Sequence, residues 1–494
     1  MSTQTSKAEP SSERLDLSQV TIDPAWSMRV PAALALRRQV LVFAVVDGHA
    51  CVAHARPIDT SCSTALRKHL GKPLRYYLAD PKSLKETLAR LYKTDGESGA
   101  RVSGGEDTES AVSLCDELLS AAMMQKASDL HIDPDEQETL VRIRIDGELR
   151  DYRPIPAALH APMISRFKVL AGMDIAERRA PQDGRFRREM SDGGRVDIRV
   201  ASLPTRHGER MTLRFLAAQT DSLTLERLGM SPESMEQFAR AISRPHGMIL
   251  ITGPTGSGKS TSLYAGLRRL VAEGAYNIIT IEDPIEYEMK RVAQVEVDAA
   301  DKVSFSKALR SVLRHDPDIV MIGEIRDAET ADVAIKAALT GHLVLSTIHT
   351  NNAASAVTRL VDMGVDPFLI AATLRLAVAQ RLVRRLCTKC RSPRELTRAE
   401  AVALDRADDA GITVYDPVGC HYCAGRGYVG RLGVFELLSM DASLSSQVAA
   451  NVGEASIVQA AKNNGMTMLS DDGFQKLVDG ETSPSELLSA VTLW

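Results

Sequence analysis

No stretch of this 494-residue sequence is apolar for long enough to cross a membrane. The most apolar early segment, Val40 to Val46, is short and follows Arg37 and Arg38, whereas a spanning helix needs about 20 apolar residues. The N-terminus, MSTQTSKAEPSSERLDLSQ, is polar and lacks an apolar h-region, so it does not read as a secretory signal. Together these absences predict a cytoplasmic protein whose membrane contact is peripheral. A basic excess is missing too. The formal net charge is -4, which supplies no overall positive field for nucleic acid. No internal repeat is visible. Cysteine is scarce, seven in all, and three of them (Cys51, Cys62 and Cys115) are scattered and expected in cores.

What remains is ordinary soluble composition, 44% hydrophobic and 25% charged, with length for about three domains. The first ~20 residues are polar and read as disordered. Val40 to Val46, Asp47-Gly48 and His49 to Ala53 read as a hairpin with an Asp-Gly turn. Residues 94–108, rich in Gly, Ser and acids, read as a linker between an N-terminal domain (1–93) and a second domain. That second domain, 109–220, reads as α+β. Leu140 to Ile145 alternates into an Asp146-Gly147 turn, Ala157 to Met173 has helical spacing, and Arg195 to Val200 and Met211 to Phe215 read as strands. From 221 to 384 four apolar runs alternate with helical segments: Met248–Thr252, Asn277–Ile281, Asp318–Ile322 and His342–Thr347. Such runs predict a mostly parallel sheet covered on both faces. The last ~110 residues read as helical around two cysteine pairs.

Gly253-Pro254-Thr255-Gly256-Ser257-Gly258-Lys259-Ser260 fits G-x-x-x-x-G-K-[ST] in full; it follows an apolar strand and opens a helical segment, Ser260-Thr261-Ser262-Leu263-Tyr264-Ala265-Gly266-Leu267, with Thr261 counted among the nucleotide-binding residues. A chance match in a chain this long is on the order of 1 in 100. The glycines let backbone N–H groups turn inward as an anion nest at a helix N-terminus. Lys259 is then expected on the β- and γ-phosphates of ATP and the Ser260 hydroxyl on Mg²⁺. Hydrolysis also needs a group that orients water. Glu282, Asp283 and Glu286 cluster after one strand. Asp318 to Ile322 resembles a Walker B strand with Gly323 where a magnesium-binding Asp is often found, which leaves Glu324 as the candidate base. His342 and His349 bracket the next strand; alone, each reads as a packed or capping histidine.

The runs GPTGSGKSTSLYAGL, TIEDPIEY and LRHDPDIVMIGEIRDAETADVAIKAALTGHLVLSTIHTNNA resemble the secretion ATPase superfamily, hexameric motors of type II secretion and type IV pili. The likeness extends from about 110 to 435, through RRAPQDGRF, VDIRVASLP and HGERMTLRFL upstream and DMGVDPFLIAATL and QRLVRRLC downstream. It implies a RecA-like P-loop core (221–384) preceded by a PAS-like α+β domain, joined by a flexible segment around 216–225. It implies an acidic box of Glu282, Asp283 and Glu286, and Glu324 as catalytic glutamate. His342 and His349 become His-box residues that sense the γ-phosphate. Arg199 and Arg214 match arginines presented to nucleotide by the preceding domain, with Arg185 and Arg210 as nearby candidates. A homohexamer acting on an inner-membrane platform follows, with the N-terminal domain as the docking part. Departures are modest: His315, Ile348, Asn352 and Arg375 replace commoner residues, and Arg375 bears on local helix packing.

Cys387-x-x-Cys390 and Cys420-x-x-Cys423 are separated by 29 residues. Two such pairs suit a closed, structural Zn²⁺ site stapling an arm (385–430) ahead of a C-terminal helical region (431–494). The pairs also resemble the assembly and secretion branch rather than retraction motors. Three other readings compete. One is a DNA-uptake or conjugation-type pilus ATPase. Another is a RecA-like nucleic-acid-binding ATPase, motivated by Arg381, Arg384, Arg385, Lys389 and Arg391. The third is a silent scaffold, opposed by the presence of Lys259, Ser260 and Glu324.

Overall fold

The computed structural model describes residues 14–92, 106–189, 195–216, 224–297 and 304–491. Most of both expected linkers, 94–105 and 217–223, lies outside them, as do the first 13 residues. The chain divides into two compact units. One comprises residues 1–218 with 387–392 and 417–429; the other comprises 219–386, 393–416 and 430–494.

The first unit holds two sheets. The N-terminal sheet is ordered Arg14–Leu15, Leu74–Ala79, His49–His54, Val40–Val46. The expected hairpin forms, with Asp47 and Gly48 both at positive φ (51° and 75°), the turn whose twist matches paired strands. One expectation fails here. Arg14 and Leu15 pair with Leu78 and Ala79, and Leu15 and Leu17 are buried, so the ordered domain starts inside the first 20 residues. Two apolar positions in a polar run were enough to complete a sheet edge.

The second sheet has six antiparallel strands, ordered Glu148–Pro156, Glu138–Ile145, Asp129–Pro134, Gly208–Leu216, Arg195–Thr205, Gln182–Glu189. Alternation decides its two faces. Leu130, Ile132, Val141, Ile143, Ile198, Val200, Met211 and Leu213 point inward against the helices Glu106–Met124 and His160–Ala171. Their neighbours in sequence form a polar face rich in arginine.

The second unit is an α/β layer structure. Its seven-stranded sheet runs Ala293–Glu296, Ile278–Glu282, Ile319–Ile322, Leu343–Ile348, Gly247–Thr252, Leu374–Leu386, Tyr428–Ser439. Successive pairs from Ala293–Glu296 through Leu374–Leu386 are parallel. The apolar runs are buried on both faces, as their composition demanded. The reading of the last ~110 residues as helical holds for Ala442–Ala449, Glu454–Asn463, Leu469–Val478 and Pro484–Val491. It fails for Ser392–Glu395, Thr413–Asp416 and Tyr428–Ser439. The strand Leu374–Leu386 was not among the four expected ones: it is built mostly of Leu, Ala, Gln and Arg, all good helix formers, but it lies beside the P-loop strand and is buried nearly throughout. Tertiary burial outweighs a propensity of a few tenths of a kcal/mol per residue. Arg375 is a strand residue whose Nη1 donates to the Ala372 carbonyl (2.9 Å) in the last turn of the helix Pro367–Thr373. It sits in that strand over Gly247, where an added Cβ would lie 2.5 Å from the Arg375 side chain.

Candidate nucleotide site and tetracysteine cluster

The P-loop leaves the strand Gly247–Thr252 and enters the helix Lys259–Glu273. Gly253, Gly256 and Gly258 have φ of 147°, 81° and 87°, a backbone only glycine adopts without strain. Gly253 and Gly258 are also closed in sterically. A Cβ on Gly253 would lie 2.5 Å from the Gln380 carbonyl, and one on Gly258 2.9 Å from the Gln380 amide nitrogen. Lys259 Nζ donates to the carbonyls of Gly253 (2.8 Å) and Pro254 (3.1 Å) in its own loop. Burial pulls its pKa down to about 8, partly offset by the charges of Glu324 and Glu286. The buried Ser257 hydroxyl has no hydrogen-bond partner among the described residues. An inward-turned backbone, an orphaned hydroxyl and an ammonium resting on neutral carbonyls together fit a polyphosphate with its Mg²⁺, for which Ser260 at the helix start is the protein ligand at hand.

The acidic groups separate by role. Glu324 follows the strand Ile319–Ile322 through Gly323. Its carboxylate is mostly buried and ion-pairs with Arg326, while His349 Nε2 stands 3.5 Å away. Asp283 is close enough for its charge to act on Arg326, and Glu286 for its charge to act on Lys259. Glu282 departs from the expected nucleotide contact. It is 4% exposed, accepting from Thr280 (2.6 Å) and Gln294 (3.1 Å) on one oxygen and from Tyr264 on the other. Its carboxylate is thereby engaged inside the fold and anchors the turn that carries Asp283 and Glu286. Burial and the Glu282 charge hold the Tyr264 phenol well above its ordinary range, so it stays a donor.

The two histidines part company. His349 lies at the P-loop end of its strand, facing Glu324. His342 lies at the opposite end, where its ring nitrogen meets the Ala337 carbonyl (3.0 Å) and its own carbonyl accepts from Gly247 N (3.1 Å). Six strand residues at about 3.3 Å each put them on the order of 20 Å apart. Within one chain, therefore, His342 is a helix-to-strand cap and does not share the site with His349.

Arg199 and Arg214 belong to the first unit. They sit directly opposite each other on adjacent strands, and Arg185 is opposite Arg199 on the next. Opposed residues share a face, so three arginines form a row on the polar face of the six-stranded sheet. Arg214 also contacts Asp129 at 2.9 Å while remaining two-thirds exposed. Arg210 stands on the same face in an ion pair with Asp133 (2.7 Å).

All four paired cysteines converge, their sulfurs within 4.8 Å of one another. Cys387–Cys420 is 3.9 Å, Cys390–Cys423 3.8 Å and Cys420–Cys423 3.9 Å. Tetrahedral Zn–S bonds of about 2.3 Å place sulfurs about 3.8 Å apart, so the set fits Zn²⁺. Cys423 has its pKa lowered by its Cys387 neighbour and by the N–H groups of Cys420 and Gly427, which favours the thiolate a metal needs. Cys51, Cys62 and Cys115 are buried core residues, as expected.

Several site residues were given no site role from the sequence. Gln380 and Arg381 lie in the strand Leu374–Leu386, which was not among the expected ones. Tyr264, Gln294 and Arg326 hold the acidic groups. The basic cluster that motivated a nucleic-acid reading disperses. Arg381 is buried under the P-loop, Arg384 pairs with Glu486 (2.6 Å), Arg385 with Glu481 (3.7 Å), and Lys389 lies over the Tyr422 ring.

A P-loop at the end of a parallel strand, with a held glutamate at the end of another, defines a nucleoside triphosphatase of the α/β type. Comparisons specify which. The family described as Type II/IV secretion system protein matches residues 105–489, and the MshEN domain matches residues 11–98. The chain is 46% identical to the Type II secretion system protein HxcR of Pseudomonas aeruginosa over 78% of each chain. It is 40% identical to the Type II secretion system protein E of Dickeya dadantii over 93% of this chain and 96% of that one. It is 37% identical to the type IV pilus assembly ATPase PilB of Myxococcus xanthus over 96% and 88%. Among solved structures, the ATPase DotB of Legionella pneumophila shares the fold (TM-score 0.56, 22% identity, 76% of this chain and 94% of that one). So does the pilus retraction motor PilT with bound ADP (TM-score 0.52, 25% identity, 76% and 95%). The chain belongs to the Type II/IV secretion system protein family and is an ATPase.

Proposed function

We propose that this chain is a cytoplasmic, homohexameric motor, peripheral to the inner membrane, whose Mg-ATP hydrolysis drives type II protein secretion or type IV pilus assembly through a membrane platform. The observation that carries the reading is Glu324, held just past the strand Ile319–Ile322, one strand removed from the P-loop strand, where its charge acts on Lys259. The similarity to secretion and pilus-assembly ATPases over nearly the whole chain supports the same choice.

In this reading the P-loop residues Gly253 to Thr261 cradle the triphosphate. Lys259 leaves its loop carbonyls for the β- and γ-phosphates, and Ser260 would hold Mg²⁺, which when bound would supply positive charge against the phosphates. Glu324 accepts a proton from, or orients, the attacking water, with His349 and Arg326 fixing its direction. Asp283 and Glu286 line the same edge. Arg199 and Arg214, from the domain read as PAS-like, serve as the cationic groups that absorb transition-state charge. The division we propose is docking domain 1–93, linker 94–108, PAS-like domain 109–220, RecA-like core 221–384, zinc-binding subdomain 385–430, whose segments 387–392 and 417–429 group with the first unit and 393–416 with the second, and a C-terminal region 431–494 that gives most of the strand Tyr428–Ser439 to the core sheet before its helices. Cys387, Cys390, Cys420 and Cys423 would hold a Zn²⁺ whose role is structural, since four protein ligands leave no open position.

The test is Mg-ATPase activity of wild type beside Glu324→Gln, with assembly mass recorded. The expected result is a hexamer whose variant binds ATP with turnover reduced by about 10²-fold or more. Equal turnover in the two proteins refutes the assignment of Glu324.

A further inference from the structure

Arg381 is a guanidinium at 4% exposure. Among the described residues no carboxylate comes within ion-pairing distance of it. Its partners are backbone carbonyls only: Nη1 donates to Gln380 O (3.1 Å) and Nη2 to Asn351 O (2.9 Å). Burial lowers its pKa, and the nearby charge of Glu436 only partly opposes that. A buried cation without a paired anion is costly, so its geometry invites a functional account.

That geometry joins two parts of the site. On one side Arg381 lies against the root of the P-loop. Its Nη1 is 3.1 Å from where a Gly253 side chain would begin, and its neighbour Gln380 accepts from Ser262 Oγ (2.8 Å) in the P-loop helix. On the other side it grips Asn351, two residues beyond His349. The same loop is bound to the root a second time. Thr350 N donates to Thr252 Oγ1 (2.7 Å), and that hydroxyl also meets Thr350 O (3.0 Å). His349 then stands 3.5 Å from Glu324, a separation longer than a good hydrogen bond.

We propose that Arg381 is a positioning residue that couples the P-loop to the His349 loop, so that seating of the triphosphate at Gly253 draws His349 onto Glu324. The planar fork of arginine spans two segments that a lysine ammonium cannot hold in one orientation. Arg381 touches no reacting atom in this scheme. It transmits a displacement of the loop root, and Lys259 departing from the Gly253 carbonyl supplies that displacement. The inference rests on the Glu324 and His349 roles proposed above.

The experiment is a double-mutant cycle on the full-length hexamer: Arg381→Met, His349→Ala and the pair, with kcat, Mg-ATP Kd and Tm for each, and Glu324→Gln alongside. Arg381→Met is expected to lower kcat about tenfold or more while Kd stays within about threefold. Arg381→Lys, which keeps the charge and disturbs the fold least, is expected to recover only part of the rate. The pair is expected to be no slower than its slower single variant, because both act through one contact. Multiplicative losses in the pair overturn the coupling. So does a weakening of Kd that accounts for the whole effect, in the Lys variant as in the Met variant. If Glu324→Gln turns over as wild type does, the underlying site assignment fails instead, and the inference falls with it.

Discussion

Lys259 illustrates how a motif residue acquires a property the motif does not state. Its ammonium is buried on two carbonyls, so its pKa falls to about 8. A bound polyphosphate favours the charged form and raises that pKa again. The sign follows. Below pH 8 the lysine is already protonated and binding is insensitive to pH. Above it, binding must take up a proton and weakens. Between pH 7 and 9 the Mg-ATP Kd is expected to rise about tenfold. Calorimetry in buffers of different ionisation enthalpy reads the proton uptake directly, and a flat Kd with no uptake contradicts the lowered pKa. Glu282 teaches the converse. Three carboxylates in five residues look equivalent in sequence, yet hydrogen bonds from Thr280, Gln294 and Tyr264 commit one to the interior.

At the scale of elements, the strand Tyr428–Ser439 is tied to two helices by one buried side chain. Glu436 accepts from Ala353 N (2.8 Å) at the start of Ala353–Asp362 and from Leu469 N (3.1 Å) at the start of Leu469–Val478. Helix starts carry unsatisfied N–H groups and partial positive charge, which a carboxylate answers. Burial raises the Glu436 pKa, and the two N–H groups oppose that by favouring the carboxylate. Glu436→Leu leaves two buried N–H groups unpaired and is expected to cost about 2 kcal/mol of stability, read as a lower urea midpoint at unchanged slope. An unchanged midpoint means the caps are replaced by water. The strand Leu374–Leu386 shows why this level was hard to read. Its composition favours helix, and nothing local announces that it will lie beside the P-loop.

For the whole molecule, the cysteine cluster is the feature with the widest reach. Within the first unit its loop packs on the N-terminal sheet. Thr21 N donates to Tyr422 O (2.8 Å), and the His421 ring lies 4.8 Å from Tyr77 and 6.2 Å from Phe43. Tyr422 and Ala424 join that core. Zinc analysis is expected to find one ion per chain, lost in Cys420→Ser. In that variant, or after chelation, hydrogen exchange is expected to quicken at Thr21 and across Val40–Val46 while the P-loop helix keeps its protection. Unchanged exchange at Thr21 separates metal from docking.

The P-loop, the apolar strands of the sheet, the two Asp-Gly hairpins and the paired cysteines were legible in the sequence by itself. Each is specified by residues adjacent in the chain: glycines that permit a backbone, apolar runs that must be buried, thiols at metal-ligand spacing. Only the tertiary structure decided that Arg381 lies under the P-loop, that His342 and His349 face opposite ends of one strand, that Glu282 is anchored inside, and that Arg14 and Leu15 complete a sheet. Those outcomes depend on which segments become neighbours. That is set by the burial of whole faces, and no local pattern of residues carries it.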